Sequence, residues 1–353
     1  MSKAVRSRSR QLYLELRGQL ESIQGGRRFY SQRKIMEQFR VTRHVADQAL
    51  RLLTEAGMIE VRPREGIFVV RNQQLDRFRV VSFHCDWQSE QVRNFDQAVE
   101  KVLGVEPDRY AFSTVLYPFD GRDCIERLEA IRADAVLFYP PYGMKREELR
   151  RLLALPKTIV FCCNTLSYAG VDAVDLHPEL IGMTAAHHLI RNGHRRLALL
   201  LSEPMSLAEH CRISSFLHLA RLNGLEPAVI DCGVRSGDYS PTLAHAALSA
   251  HLEEHGADFT GIFVSSDTSA LGALKALKDY GLNVPEDVSV IGNGGFAAGT
   301  LYTPPLTTVS ENFAGFAAAV KAGVEALSAG GRFGLRSAPP LLIERQSVRN
   351  INP

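Results

Sequence analysis

A chain of 353 residues is longer than one ordinary hydrophobic core supports, so two or three folding units are expected. With 45% hydrophobic and 23% charged residues it has the composition of a soluble globular protein. No apolar run approaches the ~18 residues of a membrane span, and the polar, basic start offers no secretory core, so a cytoplasmic protein without membrane contact is expected. The net charge of +2 hides an asymmetry: residues 1–71 hold 15 Lys and Arg against 7 Asp and Glu, a balance of +8, and 72–353 hold 26 against 32, or −6. A basic module of this size joined to an acidic one points to a polyanionic partner for the first.

Residues 8–23 set Leu12, Leu16, Leu20 and Ile23 on one helical stripe, closed by Gln24-Gly25-Gly26. Ser31 reads as the N-cap of a short helix over about 32–38, with Ile35 and Phe39 facing inward. Thr42 reads as a second N-cap, opening a helix whose Ala46, Ala49, Leu50 and Leu53 keep the apolar spacing until Gly57. The other face of that helix offers Arg43, His44, Asp47, Gln48 and Arg51. Two extended runs, MIEVR and GIFVV, follow around the basic turn Pro63-Arg64-Glu65, with Arg62 at its entry. Helices followed by a two-stranded wing describe a winged helix-turn-helix.

Residues 8–70 resemble the DNA-binding domain of the GntR family of bacterial transcription regulators. The family's Leu-Pro-Ser-Glu-Arg run appears as FYSQR, its Val-Ser-Arg turn as VTR (41–43), and its wing entry as AGMIEVR. The resemblance implies that Arg33, Thr42 and Arg43 grip phosphates or base edges of double-stranded DNA. Departures at His44, Val45, Asp47 and Arg64-Glu65-Gly66 imply an operator unlike the family's common one. Asp47 could accept from a cytosine amino group or repel a phosphate. Phosphate contacts from Arg33, Arg43 and Arg64 would make binding strongly salt-dependent.

Beyond a linker at 72–78 the pattern changes to short apolar runs alternating with helical segments, such as 122–132, 178–192, 207–224 and 268–281. That alternation predicts parallel α/β sheets, here two Rossmann-like lobes with ligands bound beyond the carboxyl ends of their strands. The run VSVIGNGGF (288–296) ends in a glycine pair. It could cradle an anion on backbone N–H groups, or simply end a strand that needs positive φ. The neighbours His187 and His188 cannot both face one ion, and His194, after the helix-capping Gly193, is expected to bond to local backbone; no metal is implied.

Residues 79–350 resemble the effector domain of the LacI family, a type I periplasmic-binding-protein fold. The runs that carry the resemblance are 171–200, 261–292 and 304–313, with the closing LLIERQSV at 341–348. It implies an N-terminal lobe over about 79–164, a C-terminal lobe over about 167–298, and later segments crossing between them. Arg212, in CRISSF, matches an arginine that donates to sugar ligands in that family. Ser266 and Asp267 match a strand-end pair, Asp267 also standing where an N-cap belongs. Asp86 and Trp87 follow the first strand of this domain, with Tyr139 and Asn164 at later strand ends. At 292–295 the family commonly has Gly, an aromatic and two Asp; here the carboxylate is absent and Asn293 is the polar residue present. The strand-end setting favours a turn over a phosphate loop.

A GntR-type head on a LacI-type body resembles the arrangement of arabinose-responsive repressors. It implies a homodimeric repressor on a palindromic operator, controlled by a small carbohydrate-like ligand between the lobes. A ligand-responsive activator, or a non-sugar or anionic effector, is the alternative. No GxSxG, Walker A, HExxH or CxxC pattern occurs, so neither an enzyme nor a cofactor is expected. The six cysteines, without framework spacing, fit reduced thiols.

Overall fold

The computed structural model describes all residues except 1–2, 21–22, 24–25, 56–57, 64, 71–76, 87–89, 119, 142–143, 156, 163–169, 236 and 353. The expected linker and Gly57 cap therefore lie largely or wholly outside the described residues. The chain divides into two compact units, residues 1–79 with 106–111, and residues 80–105 with 112–353.

The first unit holds helices α1 (Lys3–Leu20), α2 (Gln32–Phe39) and α3 (Arg43–Glu55), then strands β1 (Ile59–Arg62) and β2 (Gly66–Val69). Leu12, Leu16 and Leu20 lie within 1% of full burial, as their four-residue spacing requires, each worth about 1.5–3 kcal/mol. They share a core with Ile35, Ala46, Ala49, Leu53, Ile59 and Ile67. Helix α1 begins five residues before the expected position 8: KAVRS carries no apolar stripe, so periodicity could not mark the first turns. Ser31 Oγ accepts from the Lys34 amide at 3.3 Å, the expected N-cap of α2. Arg40, at φ 48°, then reverses the chain into α3. The antiparallel wing pairs Ile59 with Val69 and Arg62 with Gly66. A third segment, not anticipated, lies along it: the Phe29 amide donates to the Ile67 carbonyl and the Val69 amide to the Arg27 carbonyl.

The remaining elements are β3 (Phe78–Cys85), α4 (Glu90–Leu103), β4 (Tyr110–Tyr117), α5 (Cys124–Ala130), β5 (Ala135–Phe138), α6 (Arg146–Leu153), β6 (Thr158–Phe161) and β7 (Ala173–Asp175). They are followed by α7 (Pro178–Arg191), β8 (Leu197–Leu201), α8 (Leu207–Leu222), β9 (Ala228–Asp231), α9 (Ser240–His255), β10 (Gly261–Val264) and α10 (Asp267–Asp279). The chain ends with β11 (Ser289–Gly294), β12 (Thr307–Ser310), α11 (Phe313–Ser328), β13 (Leu335–Ser337) and β14 (Leu341–Ile343).

Two six-stranded sheets result, in the orders β13-β7-β6-β5-β3-β4 and β14-β12-β11-β10-β8-β9. Near-continuous apolar strands such as AVLF (135–138) and GIFV (261–264) are buried along their whole length, as strands covered on both faces must be. Strands β9, β8, β10, β11 and β12 run parallel, and β14 closes that sheet antiparallel to β12.

Sheet membership moves the lobe limits. Strand β7 belongs to the first sheet, so the chain first leaves that lobe at 176–177, beyond the expected 164–167. The second lobe runs on through β12. The chain then returns at 311–312 to lay α11 and β13 on the first lobe, and crosses again at 338–340 to β14. Strands β7 (AVD) and β12 (TTVS) lack the continuous apolar run that marks the equally short AVLF and GIFV. Leu176 and Glu311, on two of these crossings, face the cavity described next.

Candidate functional site

Between the two lobes lies a cavity of about 640 Å³, bordered by the carboxyl ends of β5, β8, β10 and β11. The parallel sheets direct their strand ends, and with them the variable side chains, into this one space.

The central group is Arg212. Ser206 caps α8 by accepting from the Glu209 amide at 3.1 Å. Glu209 and Arg212 then fall one turn apart on the same face of the helix. Arg212 Nη1 donates to Glu209 Oε2 at 3.3 Å, and Nη2 donates to Glu311 Oε1 at 2.7 Å. The three side chains are 11%, 2% and 2% exposed. Burial opposes the charge of Arg212, yet Glu311, Glu209 and Glu203 together hold its pKa above the ordinary value. Burial pushes the Glu209 and Glu203 carboxyls up, with Arg212 pulling against it in both. Arg212 Nε and Glu209 Oε1 are buried without a hydrogen-bond partner.

Asn293, 5% exposed on β11, supplies another such atom. Its Nδ2 donates to the Ser265 carbonyl at 3.3 Å, which orients the amide and leaves Oδ1 buried and unpartnered. The first lobe contributes an aromatic wall: Phe95, 1% exposed, packs against Phe316 with ring centroids 4.4 Å apart, and Tyr139 lies beside both. Tyr117 Oη donates to the Tyr139 carbonyl at 2.6 Å, fixing that strand end.

Four residues expected at the ligand site, Tyr139, Arg212, Ser266 and Asn293, line this cavity. Two do not. Asp86 is exposed at the end of β3 and does not border the cavity. Asp267 is 1% exposed and turns away: its Oδ1 accepts from Thr308 Oγ1 at 2.7 Å and its Oδ2 from the Phe296 amide at 2.9 Å. Ser266, not Asp267, occupies the N-cap position of α10. Burial raises the Asp267 pKa to about 6, against the pull of the Thr308 hydroxyl and the Phe296 and Gly295 amides. Trp87 and Asn164 lie outside the described residues.

Asp267 also explains the glycine pair. A Cβ at Gly292 would run into its carboxylate, and Gly294 and Gly295 take φ of 133° and 73°. A Cβ at Gly295 would strike Ser310. The run is a tight turn wrapped over a neighbouring carboxylate, and the anion at this strand end belongs to the protein. His194 is 1% exposed, with Nδ1 3.1 Å from Thr260 Oγ1 and Nε2 3.3 Å from the Arg349 carbonyl, distant partners where local backbone was expected.

In the first unit the described residues expected to meet nucleic acid stand on α2, at the start and along the outer side of α3, and on the wing. Thr42, Arg43 and His44 are exposed around the start of α3, and Gln48 is half-buried. Arg33 donates to Glu37 at 2.9 Å, and Arg43 lies 3.9 Å from Asp47, whose Oδ1 also accepts from the Gln32 amide group. Arg62 pairs with Glu60 at 3.2 Å and stacks over Phe68, 4.6 Å from the ring centroid. Arg64 lies outside the described residues.

Comparison with known proteins agrees with both halves. The family described as bacterial regulatory proteins, gntR family, matches residues 8–69, and that described as a periplasmic binding protein-like domain matches 186–348. The chain joins a GntR-family helix-turn-helix domain to a periplasmic-binding-protein-like domain. The HTH-type transcriptional repressor PurR of Haemophilus influenzae is 31% identical over 147 residues, 41% of this chain and 42% of that protein. Catabolite control protein A of Priestia megaterium is 29% identical over 183 residues, 51% and 53% of the two chains. The lactose operon repressor of Escherichia coli is 32% identical over 150 residues, 42% and 38%. The chain thus matches about half, or less, of each relative's length. A crystal structure of the Lac repressor dimer bound to operator and the anti-inducer ONPF shares the fold, with TM-score 0.66 and 21% identity over 78% of this chain and 97% of that one. A LacI family regulator from Arthrobacter, in complex with lactose, superposes with TM-score 0.62 and 22% identity over 77% and 99%.

Within the periplasmic-binding-protein-like domain, sequence reasoning found Arg212 but missed its partners. Glu209 stands three residues earlier in the same helix, a spacing that signals an ion pair. Glu203 follows β8 directly. Glu311 follows β12, a strand of four residues that periodicity does not reveal, and its meeting with Arg212 across 99 positions had no local signature.

Proposed function

We propose that the chain is a DNA-binding transcription regulator, acting as a repressor, whose operator affinity is set by a small carbohydrate-like molecule held between the lobes. The observation that carries this reading is the Arg212–Glu311 pair at 2.7 Å. Arg212 reaches the cavity from one lobe, and Glu311 stands where the chain returns to the other. A ligand that engages Arg212 competes for a contact made by the crossing segment, and so favours one lobe arrangement over another. It can shift DNA affinity only by its differential binding to the two arrangements.

The GntR-family domain supplies the DNA contact, with Arg33, Thr42, Arg43, His44, Asp47 and Gln48 on or beside α3 and Arg62 and Arg64 on the wing. Asp47, already held by Arg43 and the Gln32 amide, sets base preference by tying down that arginine. Two copies would read a palindromic operator, in keeping with the operator-bound Lac repressor dimer among the structural relatives. The protein would act in the cytoplasm and carry out no catalytic step. Activation in place of repression is the second reading, separated by transcription in vitro. The test is a gel shift or footprint of the full-length chain on source-genome fragments at physiological salt. Sequence-selective binding is expected; its absence from every fragment, with and without small-molecule extracts, sinks the proposal.

A further inference from the structure

We propose that the cleft selects a small hydroxylated molecule bearing a protonated amine, in preference to a neutral sugar or an anionic metabolite. The inference rests on the reading of the cavity as a ligand site and narrows it.

The charge of the lining comes first. Five acidic residues border the cavity, Glu90, Glu203, Glu209, Asp238 and Glu311, against two arginines, Arg93 and Arg212. Arg93 and Asp238 are exposed at the rim, so inside it four carboxyl groups, those of Glu90, Glu203, Glu209 and Glu311, accompany one guanidinium. That guanidinium is already engaged by Glu209 and Glu311, which offset its charge before any anion arrives. The acids outnumber the guanidinium, an imbalance that a bound cation offsets and a bound anion worsens.

The unpartnered atoms say where the charge would sit. Glu209 Oε1 and Asn293 Oδ1 both belong to cavity-lining residues at least nine-tenths buried, both are acceptors, and neither has a hydrogen-bond partner, although the Ser265 hydroxyl lies close enough to the Glu209 carboxyl to favour its charged form. An ammonium carries three donors and no acceptor, which fits such a pair. Arg212 Nε is a buried unpartnered donor of this lining, and it calls for an acceptor on the same ligand, such as a hydroxyl. Phe95, Tyr139 and Phe296 add ring surfaces that attract a cation further.

The test uses the full-length chain and probe sets matched in skeleton: glucosamine, glucose and glucuronate, and 2-aminopropane-1,3-diol, glycerol and glycerate. Thermal shift and titration calorimetry at pH 7 read the binding. In at least one set the amine is expected to raise the melting temperature with concentration and to bind at least about tenfold tighter than its neutral and acidic counterparts. Glu209→Gln should cut the amine's affinity about tenfold and neutral binding by less, narrowing the gap between them. If that variant does not fold, the wild-type panel still decides. The proposal is overturned if a neutral or acidic member equals or exceeds the amine in every set, or if no amine shifts the melting temperature at about 10 mM. Either result leaves operator binding, measured by gel shift without ligand, untouched.

Discussion

The two units hold their charges in opposite ways. Along α2 and α3 the arginines pair with acids four residues on, Arg33 with Glu37, Arg43 with Asp47 and Arg51 with Glu55, and the arginines of these pairs are 72–89% exposed. In the cleft, Arg212 reaches one acid on its own helix and another 99 residues away, all three nearly sealed from water. Exposed pairs of this kind are worth about 0–1 kcal/mol and yield readily to another anion. Pairs buried this deeply are rigid, because removing one member strands the other. Under the proposed function, a surface that exchanges its own carboxylates for phosphates would need the first kind, and a cleft whose occupancy is felt by the crossing segments would need the second.

The sharpest way to break the contrast is Arg212→Ala. It leaves Glu209 and Glu311, each 2% exposed, with their main counter-charge removed. We expect a loss of about 3–5 kcal/mol in the stability of the lobed domain, measured by urea unfolding followed at its aromatic residues. Arg212→Lys keeps one charge but cannot bridge both carboxylates, so it should lose roughly half as much. A loss below about 1 kcal/mol for the alanine variant would mean that water reaches these groups and that the cleft behaves like the outer helix faces.

The same contrast governs what the sequence could disclose. Exposed helix faces obey a local period, so Arg43, His44, Asp47, Gln48 and Arg51 could be assigned to one face of α3 by counting, whereas Arg33 and Thr42 rested on the family resemblance. The long apolar strands and their alternation with helices gave the two-lobed α/β architecture. What escaped was non-local. Strands β7 (AVD), β12 (TTVS) and β13 (LRS) have no continuous apolar run, and without them the crossings at 176–177 and 311–312 could not be found. Glu311 was therefore invisible as a partner of Arg212. Asp267 shows the reverse failure: its position at a strand end invited a ligand role, and only the fold shows the side chain spent on Thr308 and the turn at 294–296. The carboxylate missing from the GNGG run reappears beside it, donated by the next strand's helix.

On the outer face, Arg43→Ala should separate binding from folding. Its partner Asp47 is 53% exposed, so loss of the pair leaves stability within about 0.5 kcal/mol of wild type. Operator affinity should fall by about 1–2 kcal/mol, and if Arg43 meets a phosphate the slope of log K against log salt should lessen by about 1. Fluorescence anisotropy on a labelled operator between 50 and 200 mM salt reads both. An unchanged affinity would remove α3 from the interface.

The buried side can be sharpened through Asp267, by pH alone. Its carboxyl has a folded pKa of about 6 against an ordinary value of 3.8, so the native state binds this proton more tightly than the unfolded chain does. The sign follows: between those two values stability falls as pH rises, because ionisation favours the unfolded state. The shift is worth about 3 kcal/mol in full, of which about 1 kcal/mol is lost between pH 5 and pH 7. Asp267→Asn cannot ionise, so the stability difference between wild type and variant should drift by about that amount over the same interval, wild type losing ground as pH rises. Urea unfolding of both proteins at pH 5, 6 and 7 measures it, and other titrating groups cancel in the difference. A difference that stays flat, or drifts the other way, would show that the Thr308 hydroxyl and the Phe296 amide hold this carboxylate ionised as firmly as water does, and that the turn over Gly294 and Gly295 is anchored by a full charge.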